Sequence, residues 1–149
     1  MFQGSIEVVE KDFFVAGTQK IKIETGEVIG EVRETRLLLY VSGPMYSEGW
    51  IGVNVNIAAW AGEEAYKRGW APVIPQFDVL GPMITKVTFR DRYMDVDLAL
   101  IRVSAAVLVL PYTLEKDEDG NQTGTSEELE FAESLGIPIY SLETLPYVN

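Results

Sequence analysis

From Leu37 onward the chain alternates short, continuously apolar runs with longer segments of helical periodicity, and no other feature constrains the fold as much. The runs are "LLLYV" (Leu37 to Val41), "APVIPQ", "AAVLVL" and "IPIYSL". A strand that does not alternate polar with apolar residues is covered on both faces, as in a parallel sheet flanked by helices. Between the runs, "VNVNIAAWAGEEAYKRG" reads as a helix. Val55, Ala58, Ala59, Ala65 and Tyr66 lie near a 3.6 period, and Gly69 is its stop. A second helix is expected within "GPMITKVTFRDRYMDVDLALIRV", with Met94, Leu98, Ile101 and Asp97 along its faces. A third runs from Ser126 to Leu135, and Gly136 stops it. This β-α-β-α-β-α-β order predicts an open parallel α/β sheet of flavodoxin or Rossmann type with right-handed crossovers.

The first 35 residues are different in kind. "SIEVVE", "DFFVAG", "KIKIET" and "EVIGEVRE" are short and β-branched, with turn signals at Gly17-Thr18 and Thr25-Gly26. They predict a small antiparallel meander. The expected organisation is therefore a meander over 1–35 and an α/β domain over 36–149.

Composition excludes several chemistries. With no cysteine and no histidine there is no thiol nucleophile, no thiolate or imidazole metal ligand and no Ser-His-Asp arrangement. Catalysis would have to use carboxylates, hydroxyls, amides, Lys, Arg or Tyr, and neither metal nor cofactor is expected. A formal charge of −11 argues against an extended nucleic acid as partner. A small anion remains admissible, because backbone N–H groups at a helix start can hold one phosphate whatever the global charge. No apolar run reaches membrane-spanning length and the first residues lack a signal-peptide pattern, so a cytoplasmic protein with no membrane partner is expected.

In an open parallel sheet, ligands sit beyond the carboxyl ends of the strands. Three loops should converge there: "SGPMYSEGW", "PQFDVLGPM" and "PYTLEKDEDGNQTGTS". In the first, the small residues Ser42 and Gly43 would let a ligand approach the main chain, or would simply make a tight strand exit before Pro44. Asn54 and Asn56 near the first helix start would be N-caps or ligand-facing amides. Asp97, set among Leu98, Leu100 and Ile101, either faces solvent or serves a site.

The stretch "NQTGTSEELEFAESLGIPIY" carries the sharpest ambiguity. Thr125 followed three residues later by Glu128 has capping-box spacing, and acids in a first turn suit the helix dipole. Yet Gly120 and Gly124 precede the cluster, and backbone N–H groups at Gly124 to Ser126 would form an anion nest beside a carboxylate. A fixed carboxylate next to a phosphate cradle suits attack on a sugar anomeric carbon, with an enzyme-bound glycosyl ester as intermediate.

The segments "YVSGPM", "NVNIAAWAGEEAYKRGWAPVIPQ" and "AAVLVLPY…TGTSEELEFAESLGIPIY" resemble the nucleoside 2-deoxyribosyltransferase superfamily. That group includes nucleotide N-hydrolases and small phage-type relatives, and the likeness covers about Leu37 to Tyr140. The resemblance rests on Asn54 fifteen residues before Gly69, and on Gly124, Glu128 and Ala132 before "GIPIY". It implies that Glu128 is the nucleophile and that Asp97 is a carboxylate near the sugar or base. It also implies substrate contacts from Ser42, Gly43, Pro44, Met45, Asn54, Gln76, Tyr112, Gln122, Gly124, Thr125 and Ser126. The implied activity is cleavage or exchange of the N-glycosidic bond of a nucleoside or its 5′-monophosphate, in a homodimer or larger assembly, in a cytoplasm that for a phage-encoded protein would be the host's. The chain departs from the pattern where Gln76 replaces a histidine, where Gln122 replaces a serine or aspartate, and where "PYT" replaces a "PGW"-like loop. Those departures keep open a protein of the same fold that binds a nucleotide without turning it over.

Overall fold

The computed structural model describes residues 11–44, 51–79, 90–111 and 124–148. The chain divides into two compact units, Met1–Thr35 and Arg36–Asn149.

In the first unit, strands β1 (Phe13–Ala16), β2 (Gln19–Lys22) and β3 (Val28–Glu31) form an antiparallel sheet in the order β1-β2-β3. Its turns use glycine where the backbone requires it: Gly17 and Gly26 have φ of 62° and 68°, the left-handed region that a side chain disfavours. Phe14 pairs with Ile21 and Ile21 with Val28, so these three share one face, and the register shifts between Lys20 and Ile21. On the other face, the Lys20 ammonium lies 4.7 Å from the Phe13 ring centroid. None of the described residues of this unit is fully buried.

The second unit is an α/β layer structure. Strands β4 (Leu38–Ser42), β5 (Ala71–Val73), β6 (Ala106–Val109) and β7 (Ile139–Tyr140) form a parallel sheet in the order β5-β4-β6-β7. The chain steps from β4 to one neighbour, β5, and returns to the other, β6, so the direction of winding reverses between β4 and β6. That reversal is the switch point at which such sheets open a crevice.

Period-two side-chain alternation divides the core. From β4, Leu39 and Val41 join Ala58, Ala61 and Ala65 of helix α1 (Ile51–Lys67) on one face. Tyr40 points the other way, to the layer formed by helix α2 (Arg90–Arg102) and helix α3 (Gly124–Ser134), with Ile101, Val107 and Ala132. Small residues let α1 lie close to the sheet. A Cβ on Gly62 would collide with the Ile74 side chain, which explains a glycine inside a helix.

Helix α1 begins at Ile51, three residues before Asn54, so neither Asn54 nor Asn56 caps it. Asn54 is buried in the first turns and Asn56 is exposed. Tyr66, expected on the core stripe of α1, is instead exposed and stacks under the Arg36 guanidinium at 3.8 Å. The "APVIPQ" run is a strand only to Val73, and Pro75–Val79 then form a 3-10 turn.

The last described residues strap the carboxyl end of α1 and the core it shares with the sheet. The Trp70 indole donates to Pro146 O at 2.9 Å, Val148 N donates to Arg68 O at 2.8 Å, and the Arg68 guanidinium donates to Leu142 O and Leu145 O. Gly69, with φ of 97°, has the Val148 carbonyl where a Cβ would go. Among the described residues no helix is long and apolar enough to cross a membrane.

Candidate functional site

The carboxyl ends of β4 and β6 hold the candidate site. Because Tyr40 and Ser42 are two residues apart on β4, both project toward the α2/α3 layer. Helix α3 turns Thr125, Glu128 and Ala132 inward, spaced three and four as one buried stripe requires. Glu128 thus stands where an apolar residue would ordinarily pack against the sheet. It is only 7% exposed.

Both its oxygens are engaged. The Tyr40 hydroxyl donates to Glu128 Oε1 at 2.9 Å, and the Ser42 hydroxyl donates to Oε2 at 2.6 Å. The capping box expected between Thr125 and Glu128 is therefore not formed. Thr125 lies inside the helix rather than at its N-cap, and the Glu128 carboxyl is committed across the interface to β4. Two hydroxyl donors fixed on a buried strand hold it more firmly than a frayed first turn would.

Helix α2 brings a second carboxyl. Asp97 lies one turn before the buried Ile101 and is half-buried. It acts on both Tyr40 and Glu128 through its charge and through hydrogen bonding. Burial pushes the Glu128 carboxyl up to about 8, the nearby Asp97 charge pushes in the same direction, and the Ser42 and Tyr40 hydroxyls pull back by stabilising the anion. The Tyr40 phenol is raised well above its ordinary value, first by burial and then by the Glu128 and Asp97 charges, so it stays a hydrogen-bond donor. With its value near 8, the Glu128 carboxyl is mostly protonated at neutral pH. The helix-start position of Glu128 suggested an acid held in its anionic form. Burial outweighs that effect.

The remaining residues named from the sequence divide as follows. Gly43 and Pro44 continue directly from Ser42, and Leu110 N donates to Ser42 O at 2.8 Å. A Cβ on Gly43 would meet the Leu110 side chain at 2.6 Å, so close strand packing is reason enough for this glycine. Gln76 is 2% exposed in the turn after β5, and its Nε2 donates to Gly43 O at 3.2 Å. Gly124, Thr125 and Ser126 form the first turn of α3, at the positive end of its dipole. Asn54 is buried and partnered in α1. Met45, Tyr112 and Gln122 lie outside the described residues.

Tyr40 is the contributor that sequence reasoning passed over. Read within "LLLYV" it counts as core, yet a tyrosine on a strand covered on both faces must find a partner for its hydroxyl. Among the described residues no group of three or more acids could hold a metal ion.

Neither a protein-family model nor a curated protein sequence matches the chain. Among solved structures it is similar to a 2-desoxiribosyltransferase from Leishmania mexicana, at 21% identity and a TM-score of 0.45. The similarity covers 70% of this chain, which spans 63% of the length of that one.

Proposed function

We propose that this protein cleaves or exchanges the N-glycosidic bond of a nucleoside or nucleoside 5′-monophosphate, with Glu128 as nucleophile. The supporting observation is the Glu128 carboxyl itself: buried at the carboxyl edge of the sheet, oriented through both oxygens by Tyr40 and Ser42, and paired with Asp97. A carboxylate fixed by neighbours whose own positions are set by strand packing is a preorganised nucleophile.

In the reaction, Glu128 attacks as the anion, its own proton having been lost to solvent, and Asp97 orients the sugar. A Glu128 oxygen attacks C1′ as the C1′–N bond breaks, and the electron pair of that bond leaves with the base, which takes a proton from water. Water or a second base then attacks C1′ of the glycosyl ester. The ester C–O bond breaks toward Glu128, which leaves as its anion, the acceptor's proton passes to solvent, and the cycle closes. Water gives hydrolysis, and a base gives transfer. The first turn of α3, Gly124 to Ser126, holds the 5′ end, while Ser42, Gly43 and Asn54 line the sugar side. No metal or cofactor is required. The working form is a homodimer or larger assembly in the cytoplasm.

A second reading, a protein of this fold that binds a nucleotide without turnover, is favoured by one observation: a carboxyl pushed up to about 8 is mostly protonated, and so weakly nucleophilic, at neutral pH. One experiment separates the two. The protein is incubated at pH 7 and pH 9 with nucleosides, ribonucleotides and deoxynucleotides, and free base is followed by chromatography alongside thermal stability. Base release that disappears in Glu128→Ala supports the enzyme. Stabilisation by a nucleotide without base release at either pH supports the binding protein.

A further inference from the structure

The first unit, Met1–Thr35, has no core of its own: none of its described residues is fully buried. A unit of fewer than about 40 residues needs a disulfide, a bound metal or association to stay folded. The sequence has no cysteine and no histidine, and among the described residues no group of acids could hold an ion. Association is the route left.

The two faces of its sheet are unlike. The pairing of β1 with β2 puts Phe13, Val15, Lys20 and Lys22 on one of them. There the Lys20 and Lys11 ammonium groups lie 4.7 and 5.9 Å from the Phe13 ring centroid. Lysines whose stems cover an aromatic ring keep that face in water. The other face carries Phe14, Ile21 and Val28. Lys20 pairs with Gly30 and Ile21 with Val28, so Ile29 is the extra residue of a bulge and adds a further apolar side chain beside Val28. Phe14, Val28 and Ile29 are 49%, 54% and 49% exposed.

The charges on this apolar face suit a second copy. Along β1 and β2 it carries only Phe14, Ala16, Gln19 and Ile21, none of them charged. Glu31, paired with Gln19, stands at one corner. A two-fold axis through the centre, along or across the strands, sends that corner to a different one, so the two carboxylates do not meet. An uncharged contact lets a chain with a formal charge of −11 approach its own copy. A cationic partner drawn by that charge would lose its counter-charges here.

We propose that the apolar face of the meander is a contact between two copies of this chain. Two meanders stack face to face, about 10 Å apart, and Phe14, Ile21, Val28 and Ile29 of each form a shared core. The face is small beside the roughly 800 Å² per partner of a standard stable interface, so the association is reversible and depends on concentration. It does not depend on the chemistry at Glu128.

Two measurements on the whole chain test it. In hydrogen exchange read by mass spectrometry, amides of residues 13–31 should lose protection as wild-type protein is diluted, while those of β4, β6 and α1 keep theirs. In sedimentation equilibrium, at a concentration where wild type is associated, Ile21→Lys and Val28→Lys should each halve the mass. Val15→Lys, on the lysine-bearing face, should leave it unchanged. Protection that is the same at every concentration overturns the proposal and assigns the face to cover within one chain or by a different protein. Equal mass in wild type and both apolar-face variants overturns it too, as does a Val15→Lys variant that dissociates like the others. Should a lysine variant fail to fold its meander, the dilution series on wild type still decides. Base release and its loss in Glu128→Ala are read separately, so this contact and the glycosyl-transfer reading stand or fall independently.

Discussion

Ser42 and Glu128, 86 positions apart in sequence, meet through a 2.6 Å hydrogen bond from hydroxyl to carboxyl that ties the end of the first parallel strand to the first turns of the last helix. Tyr40 makes the same connection from two residues earlier. The pair converts an acidic helix start into a held functional group, and the consequences below follow from it.

The first concerns stability against pH. The folded-state value of Glu128, about 8, lies above the ordinary carboxyl value of 4.5. Between those values the folded protein holds a proton that the unfolded chain has released. Stability from this group is therefore complete below about 4.5 and declines as pH rises toward 8. The decline is at most about 1.4 kcal/mol per pH unit. Thermal melts of wild type and Glu128→Gln from pH 5 to 8.5 should converge at the acid end and diverge at the alkaline end, with wild type losing the more. Parallel curves would contradict it.

The catalytic profile runs in the opposite sense. If the Glu128 anion attacks, kcat/KM rises with pH, roughly tenfold per unit well below 8, and levels above it. Loss of rate should thus already be visible at neutral pH. A profile flat between pH 6 and 8.5 would exclude titration of Glu128 as the controlling event.

Two conservative variants should shift that profile in opposite directions. Tyr40→Phe removes a hydroxyl that stabilises the anion, so the midpoint moves to higher pH and the rate at pH 7 falls, by about 10-fold or more. Asp97→Asn removes a charge that opposes ionisation, so the midpoint moves to lower pH. Its maximal rate nonetheless falls, because the carboxylate that orients the sugar is lost. A merely structural role for either residue would change the height of the profile without moving its midpoint.

Away from the site, Gly69→Ala tests the chain-end strap. The position needs a left-handed backbone, and its Cβ would run into the Val148 carbonyl. Destabilisation of about 1–3 kcal/mol or more is expected, read as a lowered Tm. The same alanine at Gly124, where a Cβ meets only the end of the Met94 side chain at 3.3 Å, should cost much less.

What the sequence made legible was set by short-range physics. Continuous apolar runs placed β4 and β6, and glycines with left-handed backbone ended α1 and α3 at Gly69 and Gly136. Asp97 stands out as an acid among Leu98, Leu100 and Ile101, and Glu128 as one member of the acidic helix start that follows Gly124. What failed depended on contacts between distant segments. Helix α1 starts at Ile51, earlier than the sequence suggests, because Gly52 reads as loop while the helix runs through it toward the alanines that pack on β4. The capping box had correct spacing, but Glu128 found stronger partners on β4 than on its own helix. Tyr40 was hidden because an aromatic residue in an apolar strand counts as core until its hydroxyl's partner is seen.

The central claim is that Glu128 becomes covalently attached to the sugar. It is tested most directly by acid-quenching the protein during turnover of a nucleoside or nucleotide that releases base, and then mapping the modified peptide by mass spectrometry. The account expects the mass of one glycosyl group on the peptide that contains Glu128, absent from Glu128→Ala. A glycosyl group mapped to any other residue, or base release that persists in Glu128→Ala, would contradict it.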